Sequence, residues 1–193
     1  MMSVWIVAIV VLVLLLIYVV MTYNKIIAQI EAVKNSEYQI DVQLDRRSKV
    51  FDSLINVVKK YMDYEKTTLK DVTALRTQAN EAKAKGDEKT RIAAEEQISE
   101  IARGINVQFE NYPQLNADKN VMQLQEEITS TENKLAYAKQ AFNDAIEIYN
   151  ATKKAFFTSM VVSAFSKALD HDFVYWQVDD EKRDTLEASR VEL

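Results

Sequence analysis

The chain contains no cysteine, a single proline and two glycines among its 193 residues. The lack of cysteine excludes disulfides, thiolate catalysis and zinc sites built on thiolates. With so little proline and glycine there are few positions at which a helix must end, so the composition predicts an all-α protein. A net charge of -5 argues against nucleic acid as a ligand.

The first charged side chain is Lys25, and one long apolar run precedes it. The run Val4 to Tyr23 makes about 30 Å of helix at ~1.5 Å per residue, which matches the hydrocarbon thickness of a bilayer. It lacks the basic n-region and cleavage site of a signal peptide, so residues 1–24 are predicted to remain as a single-pass transmembrane anchor in the lipid bilayer. Positive charge follows the run, at Lys25 and Lys34, and none precedes it. This bias favours a cytoplasmic location for the rest of the chain.

Two breakers divide the rest of the chain. Gly86 and Asp87 predict a C-cap glycine followed by an N-cap, and the turn Asn111-Tyr112-Pro113 predicts a rigid helix stop rather than a ligand loop. Steps of three and four residues pick out apolar seams on both sides of these breakers, and such seams are buried only when helices pack lengthwise. The expected fold is therefore an N-terminal transmembrane helix followed by an antiparallel bundle of three to four long helices. The expected stretches run from about Tyr23 to Ala84, from Glu88 to Glu110, and from Asp118 to roughly Ser159.

The first stretch is too long for the second to cover. As one helix it would measure roughly 90 Å, and the ~35 Å helix that folds back from Gly86 would reach only to about Tyr61. Either the first stretch breaks near Arg46-Arg47-Ser48 and makes a four-helix bundle, or its membrane-proximal seam packs against other copies of the chain. The second alternative predicts a homo-oligomer. Its seam would consist of Ile30, Val33, Ile40, Leu44, Phe51 and Leu54.

Several short blocks are specific enough to compare with known families. They are Tyr23-Asn24, Ile40 to Arg47, Leu54-Ile55 with Val58 to Tyr61 and Glu65, Glu110 to Leu115, Leu124-Gln125, Thr131-Glu132-Asn133, and Tyr149-Asn150. Together these blocks resemble the LemA family. The resemblance implies a bacterial protein with an N-terminal transmembrane helix, an antiparallel helical bundle and no established enzymatic activity. The chain departs from the family at Ser53, where Pro is frequent, and at Phe156 to Met160, which replace a segment containing Pro and Gly.

Charged residues interrupt the seams, whereas catalytic motifs are lacking in the sequence. The single histidine, His171, lies between two aspartates, which is more typical of a solvated turn than of a metal site, so no metal or cofactor is predicted. An unpaired charge inside a bundle costs several kcal/mol. The charges therefore either face solvent or form a buried polar cluster that fixes the register of the helices. The expected cluster comprises Glu37, Asp41, Arg46, Arg47, Glu132 and Asn133.

The chain after the bundle is expected to form an amphipathic helix and an acidic tail. The apolar face between Ala155 and Leu169 suits a membrane interface or protein packing, and the single Lys167 on its polar side favours protein packing. The expected domains are an anchor at 1–24, a LemA-like bundle at 25–158, and this helix and tail at 159–193.

Three function classes follow from these patterns. The leading one is a non-enzymatic, membrane-anchored scaffold that self-associates through its long helices and organises membrane or partner proteins. The alternative is a membrane-tethered adaptor that binds another protein through a groove of the bundle. An enzyme or a metal carrier has almost no residues in its favour.

Overall fold

The computed structural model of the chain describes residues 2–61, 66–109 and 119–177, and it is helical with no strand in those ranges. The all-α prediction, with a long apolar N-terminal helix followed by packed long helices, is confirmed. The expected turn Asn111, Tyr112 and Pro113 and the acidic tail from Asp179 lie outside the described residues. The helices are α1 (Met2–Tyr61), α2 (Lys66–Lys85), α3 (Glu88–Phe109), α4 (Lys119–Lys154), α5 (Phe156–Ala164) and α6 (Ser166–Leu169).

Helix α1 continues from the apolar run into the polar part of the chain without interruption. The break considered near residues 46–48 is therefore wrong, because those residues are helical. Helix α2 runs antiparallel to α1, since Arg76 pairs with Asp52 while the later residue Lys83 pairs with the earlier residue Asp41. The stretch expected as one helix to residue 84 is thus two helices that lie side by side.

Contacts divide the chain into two compact units, and α1 and α4 contribute residues to both. Unit 1 comprises residues 1–39 and 139–175, and unit 2 comprises residues 40–138 and 176–193. The buried core of unit 1 contains Ile26, Ile30, Val33, Phe142, Ile146, Tyr149, Val161, Val162 and Leu169. The core of unit 2 joins four helices through Val50, Phe51, Val72, Ile98, Ala102, Val121 and Ile128.

The side chains assigned to an oligomer seam are covered by the chain itself. They are Ile30 (2% exposed), Val33 (0%), Ile40 (0%) and Phe51 (1%), with Leu44 half-buried. In unit 1 the Gln29 side chain of α1 donates a hydrogen bond to the hydroxyl of Thr152, which places α4 beside α1 there. The premise that this seam has no partner within the chain is therefore wrong, because it did not allow for the 36 residues of α4. The Leu54 side chain lies outside the described residues.

Helix α4 ends at Lys154, earlier than the expected end near Ser159. The backbone of Ala155 is extended (φ -64°, ψ 140°), and no side chain caps the helix that starts after it. A second interruption at Phe165 (φ -118°, ψ 36°) separates α5 from α6. The amphipathic segment is therefore two short helices. The redirection buries Val161 and Val162 of α5.

The turn between α2 and α3 has the predicted glycine and aspartate caps. The N–H of Gly86 (φ 71°) donates to the carbonyl of Lys83 at 3.1 Å, and the N–H of Asp87 donates to the carbonyl of Ala82 at 2.9 Å. This is the Schellman arrangement, in which a residue with positive φ follows the helix. The Asp87 carboxylate accepts hydrogen bonds from the hydroxyl of Thr90, which has the larger effect, and from its backbone N–H. Both hold the pKa of Asp87 below its usual value. Both predicted caps are confirmed.

The two glycines are expected to respond oppositely to substitution by alanine. Gly86→Ala forces a Cβ into the left-handed region and should lower the free energy of unfolding by roughly 1–2 kcal/mol. Gly104→Ala should raise it by up to about 1 kcal/mol, because this residue is inside α3 and nothing lies within 4 Å of an added Cβ. Urea denaturation followed by circular dichroism measures both changes, and shifts of the same sign would contradict the argument.

Candidate functional site

Two arginines are almost fully buried in unit 2, and Arg47 of α1 is the first, at 4% exposed. Its Nη1 donates to the hydroxyl of Ser99 at 2.7 Å and to the backbone carbonyl of Glu95 at 3.2 Å, and its Nη2 pairs with the Glu95 carboxylate. Glu132 Oε1 lies 3.9 Å from Nη1. One guanidinium thus ties α1 to α3 and α4. A buried cation requires such partners, because its desolvation is costly.

Arg91 of α3 is the second buried arginine, at 2% exposed. Its Nη2 lies 2.5 Å from Asp41 Oδ1, and its Nη1 lies 3.0 Å from Glu88 Oε2. The guanidinium carbon is 5.5 Å from the centre of the Trp176 ring, which is within the range of a cation–π contact. The indole N–H of Trp176 donates to Glu96 Oε1 at 3.0 Å. Arg91 therefore holds together residues far apart in the sequence.

Both arginines line a cavity of about 270 Å³ between α1, α2 and α3. Its charged lining residues are Asp41, Asp45, Arg47, Arg76, Lys83, Arg91 and Glu95. The basic members are matched by carboxylates: Lys83 is 2.6 Å from Asp41, and Arg76 is 2.8 Å from Asp52. Because the opposite charges are paired across helices, the arrangement is suited to fixing helix register rather than to binding a charged ligand.

Three residues of the expected polar cluster belong to the Arg47 and Arg91 networks. Arg47 and Glu132 approach each other, and Asp41 lies in the second network with Arg91. The shortest contacts are made by Arg91 and Glu95, which were not predicted from the sequence. Their spacing could have predicted their burial, because Arg91 and Glu95 continue, in steps of three and four residues, to the buried Ile98 and Ala102 on the same face of α3.

The other three residues of the expected cluster lie elsewhere. Arg46 is about half exposed and reaches Glu127 at 3.7 Å on the surface. Glu37 is half-buried and belongs to unit 1. Asn133 is exposed on α4 and lines a shallow groove there. The charged and polar residues of the seam therefore do not form a single cluster.

A separate polar arrangement in unit 1 centres on Tyr149, which is 0% exposed. Its hydroxyl donates to the carbonyl of Leu169 at 2.7 Å and accepts the N–H of His171 at 2.8 Å. Lys153 Nζ donates to Asp170 Oδ1 and to the carbonyl of His171, both at 2.8 Å. Burial lowers the pKa of Lys153. The hydrogen bond to Asp170 and the attraction of Tyr149 and Asp170 outweigh burial and raise the pKa above its usual value.

The chain after α6 is therefore attached to α4 by the Tyr149 and Lys153 side chains. The His171 ring stacks on Phe173, with 5.7 Å between ring centres. In the part of the chain that the structure describes, no group of three or more His, Cys, Asp or Glu side chains could hold a metal ion.

Comparison with known proteins gives the family. The model of the LemA family matches residues 36–189. The chain belongs to the LemA family. It is also similar to the protein LemA of Metamycoplasma hominis, with 25% identity over 138 residues, which cover 72% of this chain and 62% of that relative. The chain thus spans less than two thirds of the length of that relative.

The match to the LemA family includes the two arginine networks and the Tyr149 arrangement. The apolar run of residues 4–23 precedes the matched region, so the case for a membrane anchor rests on this chain's own residues. The resemblance found in the sequence is thereby confirmed at the level of the family.

Proposed function

We propose that this LemA-family chain is a non-enzymatic, single-pass membrane-anchored scaffold that holds its helical bundle at a membrane surface and organises membrane or partner proteins. Family membership and the apolar N-terminal helix are compatible with a membrane location.

The observation that carries the proposal is the exposure of the apolar run. In the part of the chain that the structure describes, one helix is long and apolar enough to cross a membrane, and none of its apolar window is buried. Large apolar side chains from Val4 to Tyr18 are 41% to 71% exposed. Aliphatic side chains exposed over this length need an apolar environment, and a bilayer has the matching thickness. The positive charges that follow the run favour the cytoplasmic side for the bundle.

Two points support a non-enzymatic role. The LemA family is not a known enzyme family. The buried arginines Arg47 and Arg91 are also held by carboxylates on neighbouring helices. Such pairing fixes the geometry of a bundle without leaving its charges available for chemistry on a substrate.

Charges in the middle of the span should release the protein from membranes. Leu12→Arg with Leu16→Arg should cost roughly 2.5–3.5 kcal/mol for each arginine at the centre of a membrane helix. Tyr38→Arg with Val42→Arg is the matched control, with the same spacing at exposed positions of α1 outside the span. Alkaline carbonate extraction of membranes from expressing cells is the measurement. The native chain and the control should stay in the pellet, whereas release of the native chain would refute the anchor.

Self-association is the part of the proposal that separates a scaffold from an adaptor. The buried seam of α1 is occupied, so we assign the association to an exposed face of the long helices. A groove on α4 is lined by Met122, 43% exposed, and by Tyr137, 72% exposed, with polar residues between them. The mass of the protein in detergent tests the assignment. A defined multimer that Tyr137→Lys dissociates supports self-association, while a monomer removes it and leaves the adaptor.

A further inference from the structure

Helix α5 carries an exposed apolar face that the protein core does not use. Phe156 is 76% exposed, Phe157 66% and Met160 63%. With 3.6 residues per turn, these three side chains fall within a sector of about 100° on the helix. The buried residues Val161 and Val162 lie on another side of the same helix. Three large apolar side chains on one short helix form a patch that needs a partner.

Two aromatic contacts place this helix at the end of the apolar run. The ring of Phe157 meets the ring of Tyr18 edge to face, with 6.4 Å between their centres. The ring of Phe165, directly after α5, meets the ring of Tyr23 in the same way at 5.4 Å. Tyr23 is the last residue of the run, so α5 lies beside the final turns of the proposed span.

The depth of the helix follows from the same two contacts. The separation of five residue steps from Tyr18 to Tyr23 corresponds to about 7.5 Å along α1. An amphipathic helix at a membrane surface buries its apolar face about 5–10 Å into the boundary between headgroups and acyl chains. The apolar face of α5 is therefore at the depth of that boundary when Val4 to Tyr23 spans the bilayer.

The polar residues around α5 agree with this position. The hydroxyl of Ser159 donates to the carbonyl of Phe156 at 2.7 Å, so it does not enter the interface without a hydrogen bond. Lys25, Lys154 and Lys167 are exposed and flank the apolar run and α5. Lysines at this level can extend their ammonium groups to phosphate headgroups while their aliphatic stems stay in the apolar region.

We propose that α5 is a second membrane contact, with Phe156, Phe157 and Met160 inserted into the lipid interface beside the span. This inference rests on the proposed anchor. It reverses the expectation of protein packing, which considered the charge of the segment but not its place beside Tyr18. The bundle is then held to the bilayer at two points, which limits rotation of the chain about the axis of the span.

Single cysteines carrying nitroxide labels test the insertion, because the native chain has no cysteine. The full chain is reconstituted in vesicles of phosphatidylethanolamine and phosphatidylglycerol. Labels are placed at Met160→Cys on the apolar face, at Leu14→Cys in the span, and at Glu147→Cys, an exposed position of α4 in the same unit. Collision rates with oxygen, which concentrates in lipid, and with a water-soluble nickel complex are compared at each position.

We expect collisions at positions 14 and 160 to favour oxygen and those at position 147 to favour nickel. A label at position 160 that favours nickel, while position 14 favours oxygen, overturns the inference and leaves the anchor intact. Low collision rates with both reagents at position 160 indicate a protein cover and also overturn it. A label at position 14 that favours nickel overturns the anchor and the inference together.

Discussion

Replacing Glu95 by alanine is expected to lower the free energy of unfolding by about 3–5 kcal/mol, the cost of breaking a buried ion pair on one side. Arg47 is 4% exposed in the native chain, and the variant leaves its guanidinium with the hydroxyl of Ser99 and one Glu132 oxygen at 3.9 Å as its remaining side-chain contacts. Neither replaces a carboxylate in direct contact. Urea denaturation of the detergent-solubilised protein, followed by circular dichroism, measures the loss.

Two further variants make the result specific to burial. Asp45→Ala breaks the ion pair between Asp45 and Lys49, in which the Asp45 side chain is 66% exposed and the Lys49 side chain 75%. It should lower the free energy of unfolding by less than about 1 kcal/mol. The double variant Arg47→Leu with Glu95→Leu removes both buried charges and should recover most of the stability lost in Glu95→Ala. Equal effects of Glu95→Ala and Asp45→Ala would mean that the Arg47 network contributes no more than a surface pair.

The second large effect is expected at Tyr149. Tyr149→Phe keeps the ring but leaves the carbonyl of Leu169 and the N–H of His171 without the hydroxyl that joins them. Each buried group left without a partner costs about 1–3 kcal/mol. Because both groups belong to the segment that follows α5, we expect that segment to open before the rest of unit 1 unfolds.

Hydrogen exchange measured by mass spectrometry resolves this local opening. Peptides covering residues 165–175 should exchange at least about tenfold faster in Tyr149→Phe, since ~1.4 kcal/mol corresponds to a factor of ten. Tyr175→Phe is the control, because its hydroxyl accepts a hydrogen bond from the side-chain amide of Asn150 at 3.2 Å in a part-buried position. Unchanged exchange in Tyr149→Phe would refute the role assigned to the hydroxyl.

Apolar spacing and turn residues predicted much of this fold. The seam of the first stretch correctly identified Val33, Ile40 and Phe51 as buried, because a residue every three or four positions faces the same side of a helix. Gly86 and Asp87 marked a turn correctly, since each has a local physical role there. These features depend on residues that are close together in the sequence, so the sequence alone is enough to predict them.

The errors arose where the chain changes direction without proline or glycine. α4 ends at Lys154 and α5 starts after Ala155 without a side-chain cap, and α2 folds back beside α1 after a stretch that contains neither breaker. Packing decides such positions, because burying Val161 of α5 and Val72 of α2 outweighs the local preference to continue a helix. The missed partners of Arg47 have the same origin, since a buried cation fixes the need for a carboxylate but not the helix that supplies it.

The continuity of α1 has a mechanical consequence. Its 60 residues contain no glycine or proline, so no flexible linker separates the apolar run from the helix that enters the bundle. A bilayer thinner or thicker than the run is accommodated in part by tilting the membrane helix. A helix without such breaks bends only gently, so a tilt of the apolar run also tilts the residues of α1 that follow it. With the proposed anchor in place, a change in the thickness of the surrounding bilayer therefore also tilts the residues of α1 that follow the run within unit 1.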